Sequence, residues 1–250
     1  MMNLSLLPRN TRHPDRGLAP AEVALRIAEV FYSIQGEGRF AGTPSVFVRT
    51  TGCNLRCWFC DTPYTSWHPE GGHRTLAELL REIRSFECEH VVLTGGEPLL
   101  QPSIVPLSHE LRREGYVITV ETAGTVYRPV AADLMSISPK LAKSAPREAS
   151  RWTVRHEDHR DRPEILRRLL REYDTQFKYV IDTPADLDEL RQVLRELPEA
   201  TPDRIWLMPQ GVTTADLTSR AAWLEPAAAE LGYRFCPRRH IEMFGNVRGT

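Results

Sequence analysis

The chain has 250 residues, of which 41% are hydrophobic and 26% are charged, and its formal net charge is −1. This length allows one large buried core, and the composition is ordinary for a globular domain. A nearly neutral charge and the lack of an 18-residue apolar run give no reason to expect nucleic acid or a membrane as a partner. The N-terminus lacks a secretory signal pattern, so we expect a cytoplasmic protein.

The chain alternates apolar runs with amphipathic stretches, which predicts alternating strands and helices. Residues 1–22, which contain several prolines, are expected to form a flexible arm ahead of a single domain at residues 23–250. An added strand pair or hairpin is predicted at residues 24–34. Seven further strands are predicted at residues 45–50, 90–94, 116–121, 134–137, 176–181, 204–208 and 233–236.

Helices are predicted between these strands. Thr75 and Glu78 form a capping-box pattern that begins one helix, and Gly115 ends another over residues 103–114. Three more helical patterns lie at residues 163–173, 185–197 and 214–231. The last of them contains Pro226, where we expect a bend or an interruption.

This alternation is typical of parallel sheets with right-handed crossovers. We therefore predict an α/β fold, an incomplete (β/α)6-type TIM barrel whose parallel sheet has an added N-terminal strand region. The polar segment at residues 142–162 departs from the pattern and is predicted to be a loop or lid.

Three of the five cysteines, Cys53, Cys57 and Cys60, stand at C-x3-C-x2-C spacing. Three thiolates are one fewer than a cubic four-iron cluster needs, so one iron of a [4Fe-4S] cluster would stay open to an external ligand. The amino and carboxylate groups of S-adenosylmethionine can chelate that iron, and reductive cleavage then gives a 5′-deoxyadenosyl radical. The spacing therefore predicts radical chemistry supplied by cofactors, for which the protein provides position and exclusion of water.

A structural zinc site in a zinc-stabilised binding module is the alternative interpretation of these cysteines. It would need a distant fourth ligand, such as Cys88, Cys236 or a histidine. Zinc sites usually use paired C-x2-C knuckles, so we favour the iron–sulfur cluster. Cys88 and Cys236 are interpreted as packing residues.

Four further motifs follow predicted strands: TGGEP from Thr94, ETAGT from Glu121, SPK from Ser138 and PQG from Pro209. In a parallel barrel such strand ends share one face, where the sites of this architecture are built. We predict contacts with S-adenosylmethionine from the backbone of Gly95 and Gly96, from the carboxylate of Glu97, and from Ser138 and Lys140.

The segments YSIQGEG (32–38) and FVRTTGCNLRCWFCDT (47–62), with TGGEP, ETAGT, SPK and the tail from His240, resemble the 7-carboxy-7-deazaguanine synthase family. These are radical S-adenosylmethionine enzymes of queuosine and 7-deazapurine biosynthesis. The resemblance implies that 6-carboxy-5,6,7,8-tetrahydropterin loses hydrogen at C6, contracts its ring and releases ammonia to give 7-carboxy-7-deazaguanine. It implies a [4Fe-4S] cluster, regenerated S-adenosylmethionine and Mg²⁺ as cofactors.

Matched position by position, the resemblance assigns substrate contacts to Gln35, Glu37, Arg49, Thr94 and His240. It assigns magnesium to Thr62 and cofactor contacts to Asp61 and Gln210. A carboxylate at Glu37 can accept from the pterin's donor edge, the Arg49 fork suits a carboxylate, and a hydroxyl suits a hard cation. A solvated Glu37, a salt-bridged Arg49 and a helix-capping Thr62 are the alternatives.

The resemblance also implies a homodimer and an external electron donor of the flavodoxin or ferredoxin type. We predict that residues 244–250 close over the pterin, with Asn246 and Arg248 as further contacts beside His240. A glycyl-radical enzyme activase would share the cluster and the GGEP motif. Such activases often contain further ferredoxin-like cysteine clusters, which this sequence lacks.

Overall fold

A computed structural model describes residues 23–250, so the predicted arm at residues 1–22 lies outside the described residues. The strands of this part are β1 (Ala24–Ile34), β2 (Pro44–Thr50), β3 (Gly72–Thr75), β4 (His90–Gly95), β5 (Val117–Thr122), β6 (Leu134–Ile137), β7 (Thr175–Ile181), β8 (Ile205–Pro209) and β9 (Arg234–Phe235). The helices are α1 (Pro63–Ser66), α2 (Leu76–Ser85), α3 (Ile104–Arg113), α4 (Arg151–Arg160), α5 (Pro163–Glu172), α6 (Ala185–Arg195), α7 (Thr214–Glu230) and α8 (Arg239–Phe244).

All nine strands form one sheet in the order β3-β1-β2-β4-β5-β6-β7-β8-β9. From β2 to β9 the neighbours are parallel, whereas β1 is antiparallel to both β2 and β3. Within residues 23–250, β3 and β9 remain the two edges, so the sheet is open. The prediction of an α/β fold with an incomplete barrel and an added N-terminal strand region is confirmed.

The prediction of a strand pair at residues 24–34 is wrong, because this segment is one strand of 11 residues. One part of β1 pairs with β3 and another part pairs with β2, with a register shift between Ile27 and Glu29. No Gly, Pro, Asn or Asp occurs within the segment to form a turn.

The prediction that residues 142–162 form a loop is also incorrect, since helix α4 occupies Arg151–Arg160. Ser150 and Thr153 form a capping box at its start, and His156 is its single buried residue. A helix that buries one polar side chain has no apolar period, which is why the sequence pattern did not reveal it.

Pro226 lies inside α7 without interrupting it. Proline in a helix interior removes one backbone hydrogen bond. The buried side chains Leu217, Leu224 and Ala228 lie on both sides of Pro226 along the helix and hold it against the sheet.

The two faces of the sheet have different roles, which β7 illustrates. Phe177, Tyr179 and Ile181 are buried in the hydrophobic core beneath the helices. The alternate residues Lys178 and Val180 line a cavity on the opposite face. Because side chains alternate along a strand, the same strands that build the core present polar groups to the cavity.

Candidate active site

A cavity of about 470 Å³ lies at the carboxyl ends of the parallel strands. Most of the predicted site residues contribute to its wall: Gln35, Glu37, Arg49, Cys57, Cys60, Asp61, Thr62, Thr94, Gly95, Gly96, Ser138, Lys140, Gln210 and His240. Cys53 and Glu97 lie behind the wall that residues 23–250 form. The sheet therefore brings together motifs that are far apart in sequence, as expected for this architecture.

The three cysteines lie on the loop that connects β2 to α1. Cys57 and Cys60 face the cavity, and the backbone of Cys57 accepts hydrogen bonds from Cys60 N and from the indole of Trp67. Burial raises the pKa of Cys53 and of Cys57 to about 12. Such thiols become thiolates when iron or another metal centre provides a compensating positive charge.

These cysteines fit an iron–sulfur cluster better than a single ion. The other cysteines are engaged elsewhere: Cys236 Sγ accepts from Gly38 N at 3.1 Å, and Cys88 Sγ donates to Pro44 O at 3.3 Å. Three soft donors on one loop, with an open side toward a cavity, suit a four-iron cluster that accepts one external ligand.

Glu97 is fully buried, and its carboxylate supports the neighbouring strand end. Its oxygens accept from Thr122 Oγ1 at 2.8 and 2.9 Å, from Ala123 N at 2.8 Å and from Leu99 N at 3.1 Å. These bonds join the TGGEP and ETAGT motifs. The contact with the cofactor's ammonium remains a prediction.

Gly95 and Gly96 allow β4 to approach the cysteine loop and β2 closely. A Cβ atom at Gly95 would lie 2.2 Å from Thr50 O, and one at Gly96 would lie 2.4 Å from Gly52 O. Both positions therefore exclude a side chain, and the backbone of both residues lines the cavity.

Part of the cavity wall consists of a network of charged side chains. Lys178 Nζ donates to Glu37 Oε2 at 2.8 Å and to Glu121 Oε1 at 3.1 Å. Glu121 also accepts from Gln35 Nε2 at 3.2 Å and from Thr94 Oγ1 at 2.9 Å. Three predicted substrate contacts, Gln35, Glu37 and Thr94, thus belong to one network.

Arg238 connects this network to the cysteine loop. Its guanidinium donates to Glu37 Oε1 at 3.0 Å, to Asp61 Oδ2 and to Gly211 O. Burial alone would raise the pKa of Glu37, but the charges of Lys178 and Arg238 outweigh burial and hold the pKa well below its usual range. The pKa of Asp61 is also lowered: Arg238 outweighs the effect of burial. Both carboxylates are therefore ionised and ready to accept hydrogen bonds.

Sequence reasoning missed Lys178 and Arg238 and named Glu121 only as part of a motif. The signal for Lys178 was present: one lysine stands inside the apolar strand QFKYVI. Lysine is seldom fully buried unless it is paired, so its position could have indicated a partner across the sheet. Arg238 follows a short strand and a proline, and nothing local distinguishes it.

Arg49 is salt-bridged, but its partner also lies next to the cavity. Its Nε donates to Glu29 Oε1 at 2.7 Å, and Tyr64 Oη donates to the same oxygen at 2.8 Å. Arg248 Nε donates to Glu29 Oε2 at 3.1 Å. The two arginines thus share one carboxylate, which connects the tail to the cavity wall.

The end of the chain covers one side of the cavity. His240 belongs to α8 and packs on Gly36, where a Cβ atom would lie 1.9 Å from its Nδ1. Burial lowers the pKa of His240, and a neutral imidazole can both donate and accept. Residues 246–250 line the cavity, whereas Phe244 is 41% exposed and contributes nothing to the wall that the described residues form.

Two remaining predicted residues show local contacts. Thr62 precedes α1, and its Oγ1 lies 3.8 Å from Cys60 Sγ and 3.4 Å from Thr65 Oγ1. It makes no capping hydrogen bond to α1, so the alternative of a helix cap is not realised. Lys140 Nζ donates to Ser138 Oγ at 2.6 Å and to Ser138 O at 2.8 Å. Separately, none of the helices in residues 23–250 has the length and apolar character needed to cross a membrane.

Comparison with known proteins agrees with this site. A model of the radical SAM superfamily matches residues 47–139. The 7-carboxy-7-deazaguanine synthase of Rhodopirellula baltica is 46% identical over 92% of this chain and 90% of its own. The enzyme of the same name from Halobacterium salinarum is 46% identical over 91% and 93%.

Structure comparison shows the same fold. The crystal structure of QueE from Escherichia coli covers 88% of this chain and 96% of its own, with a TM-score of 0.66 at 23% identity. Neither a glycyl-radical enzyme activase nor a zinc-stabilised module is supported by these similarities. With both synthases aligned over nine-tenths of its length, the chain belongs to the 7-carboxy-7-deazaguanine synthase family of radical S-adenosylmethionine enzymes.

Proposed function

We propose that this protein converts 6-carboxy-5,6,7,8-tetrahydropterin into 7-carboxy-7-deazaguanine with ring contraction and loss of ammonia. The observation that supports this most is that one cavity is lined both by cysteines of the predicted cluster and by the carboxylates of the charge network. Cys53, Cys57 and Cys60 would hold the [4Fe-4S] cluster, which with S-adenosylmethionine would supply the radical chemistry needed at C6 of the substrate.

On the cofactor side, Cys57 and Cys60 line the cavity and would hold the cluster together with Cys53, and the backbone of Gly95 and Gly96 would meet the methionyl group. Ser138 and Lys140 lie together and offer a hydroxyl and an ammonium to polar groups of the cofactor. Asp61 and Gln210 complete this side, and both line the cavity.

The substrate side binds the pyrimidine edge of the pterin through Glu37, with Gln35 and Thr94 beside it. Glu37 stays ionised because the positive charges of Lys178 and Arg238 compensate its negative charge in the buried wall. A carboxylate already held by two cations is fixed in position, so it can orient the donors of the substrate without reorganising. Arg49 and His240 are placed to contact the remaining polar groups.

The decisive test is anaerobic incubation of the reconstituted protein with S-adenosylmethionine, a reductant and carboxytetrahydropterin. We expect a product with the mass of 7-carboxy-7-deazaguanine, and more than one product molecule per cofactor molecule. Cofactor cleavage without this product would refute the proposed reaction.

We further propose that Thr62 holds Mg²⁺ against the substrate, where the ion would offset the charge of the carboxylate. Thr62→Ala should then abolish the response of turnover to magnesium while uncoupled cofactor cleavage persists. Thr62→Ser retains the hydroxyl and should restore much of the response. Equal loss of turnover and cofactor cleavage in both variants would remove Thr62 from this role.

The family resemblance also supports a homodimer, a flavodoxin- or ferredoxin-type electron donor and a cytoplasmic location. Sedimentation of the iron-loaded protein tests the first of these, and a mass equal to one chain at assay concentration would contradict it.

A further inference from the structure

An exposed arginine–tryptophan surface lies beside the cysteine loop. It consists of Arg147, Arg151 and Arg155 with the rings of Trp58 and Trp152, and we call it the Arg–Trp face. Arg147 stacks 3.6 Å from the centroid of Trp58, and Arg151 and Arg155 lie 5.0 and 5.8 Å from that of Trp152. All three arginines are exposed, and none pairs with a carboxylate of residues 23–250.

Two other cations of residues 142–162 pair with carboxylates, whereas Arg162 donates to Asp158 O. Lys143 pairs with Asp186 at 3.0 Å, and Arg160 pairs with Glu157 at 2.7 Å. Of the four Lys or Arg side chains in this segment that lack a carboxylate partner among residues 23–250, three are the arginines that stack on the two tryptophans. Stacking on a ring holds a guanidinium in place and leaves its N–H groups free to bind a carboxylate of another molecule.

Hydrogen bonds hold the segment of the Arg–Trp face against the cysteine loop. Trp58 N donates to Ser144 O at 3.1 Å, and Arg56 N donates to His156 Nδ1 at 3.0 Å. Because Nδ1 accepts a backbone N–H, the ring proton lies on Nε2, which donates to Ser144 Oγ at 2.9 Å. Helix α4 and the cysteine loop are thus joined through one buried imidazole.

A short path leads from this face to a cluster ligand. The guanidinium of Arg56 lies 4.3 Å from the centroid of Trp152. The same group donates to Cys53 O at 2.7 Å and to Leu55 O at 2.7 Å. A single side chain, that of Arg56, therefore separates the half-buried indole of Trp152 from the backbone of Cys53.

We propose that the Arg–Trp face is the docking surface for an acidic one-electron donor protein, such as one with a reduced flavin or iron–sulfur centre. The inference rests on the proposed function, since a cluster bound by the cysteines is the acceptor. One electron leaves the donor's reduced centre and enters the cluster, and no bond or proton is exchanged in this step. Surface carboxylates of the donor would pair with the three arginines and bring its redox centre over Trp152 and Arg56.

A nucleic acid is the less favoured occupant of the same surface. The chain has a net charge of −1, and Glu148, Glu157 and Asp158 flank the arginines in sequence. A phosphate backbone would meet these carboxylates as well as the cations. A small acidic protein needs a confined basic patch, which is what this face provides.

The test compares two ways of reducing the iron-loaded enzyme, by dithionite and by a reduced flavodoxin. We expect Arg147→Glu/Arg151→Glu/Arg155→Glu to raise the KM for reduced flavodoxin at least about tenfold, because three attractive charges become repulsive. Its turnover with dithionite should equal that of the wild type. Added salt should slow the flavodoxin-driven wild type, because it screens attraction, and should speed the variant, because it screens repulsion. Arg81→Glu, at an exposed position of α2, is the control and should keep the wild-type KM.

Flavodoxin binding is measured separately by calorimetry at low salt, on iron-loaded protein without substrate. We expect the triple variant to lose binding at least about tenfold and Arg81→Glu to retain it.

If the triple variant takes up less iron, Arg151→Glu alone replaces it, because Arg147 then still stacks on Trp58. Unchanged binding and unchanged KM in an iron-replete variant would overturn the docking assignment. Binding of a duplex RNA that the same substitutions abolish, with flavodoxin binding intact, would overturn it equally. Inactivity of the wild type with dithionite would instead refute the proposed function, and the binding data would still decide the docking surface.

Discussion

Removing the charge of Lys178 tests the buried network directly. The Lys178 side chain is 4% exposed and forms ion pairs of 2.8 Å with Glu37 and 3.1 Å with Glu121. In Lys178→Met, Glu37 keeps Arg238 as a partner, whereas Glu121 keeps only the neutral donors of Gln35 and Thr94. Most of the cost therefore arises from one carboxylate that becomes uncompensated inside the wall.

Breaking a buried ion pair from one side costs about 3–5 kcal/mol. For a chain of this size each kcal/mol lowers Tm by about 2–4 °C, so we expect Tm to fall by about 10 °C. Arg191→Met is the matched control, because its pair with Asp188 is 46% and 73% exposed and should contribute no more than about 1 kcal/mol. Urea unfolding of the cluster-free, reduced proteins gives both free energies of unfolding.

A double-mutant cycle separates the ion pair from packing. Glu121→Gln should cost less in the Lys178→Met background than in the wild type, since it removes the uncompensated charge. We expect a coupling energy of about 1–3 kcal/mol between the two positions. If Lys178→Met destabilises the protein no more than Arg191→Met, or if the two substitutions are additive, the charge network does not stabilise this wall.

Three further predictions concern stability in acid, the cluster and the tail. Burial lowers the pKa of His156 from 6.5 to about 4. Below pH 6.5 the unfolded chain therefore binds a proton that the folded chain excludes, and stability should fall by at most about 3 kcal/mol as pH drops from 6.5 to 4. His156→Gln should remove this part of the pH dependence of stability. The same change of the urea midpoint with pH in the variant and the wild type would contradict the prediction. Cys57→Ala should abolish the roughly four irons per chain obtained by anaerobic reconstitution, whereas Cys88→Ala should retain them; a Cys57→Ala protein with full iron content would exclude that ligand. Deletion of residues 244–250 should strongly reduce turnover while iron content stays normal, because residues 246–250 form part of the cavity wall; full turnover after deletion would show that the tail has no part in the site.

Much of the site was predictable because its motifs are local. The cysteine spacing lies within eight residues, and TGGEP, ETAGT, SPK and PQG each follow a strand. Parallel strands place their carboxyl ends at one edge, so a correct order of strands and helices was enough to bring these motifs into one cavity. The seven predicted strands all occur, with small differences in their ends.

Contacts between distant segments could not be read from any local pattern. Glu37 is separated from Lys178 by 141 positions and from Arg238 by 201 positions. Ion pairs of this kind have no period in the sequence, and only the packing of β7 and the tail against the segment that follows β1 brings their partners within reach. Helix α4 depends in the same way on the tertiary structure, since its single buried residue, His156, is held by hydrogen bonds to the cysteine loop rather than by an apolar face. The sequence by itself determined the chemistry of the cysteine loop and the alternation of parallel strands and helices, because both follow from spacing along the chain. The tertiary structure decided which charges neutralise one another in the cavity wall, because that depends on distances between segments far apart in sequence.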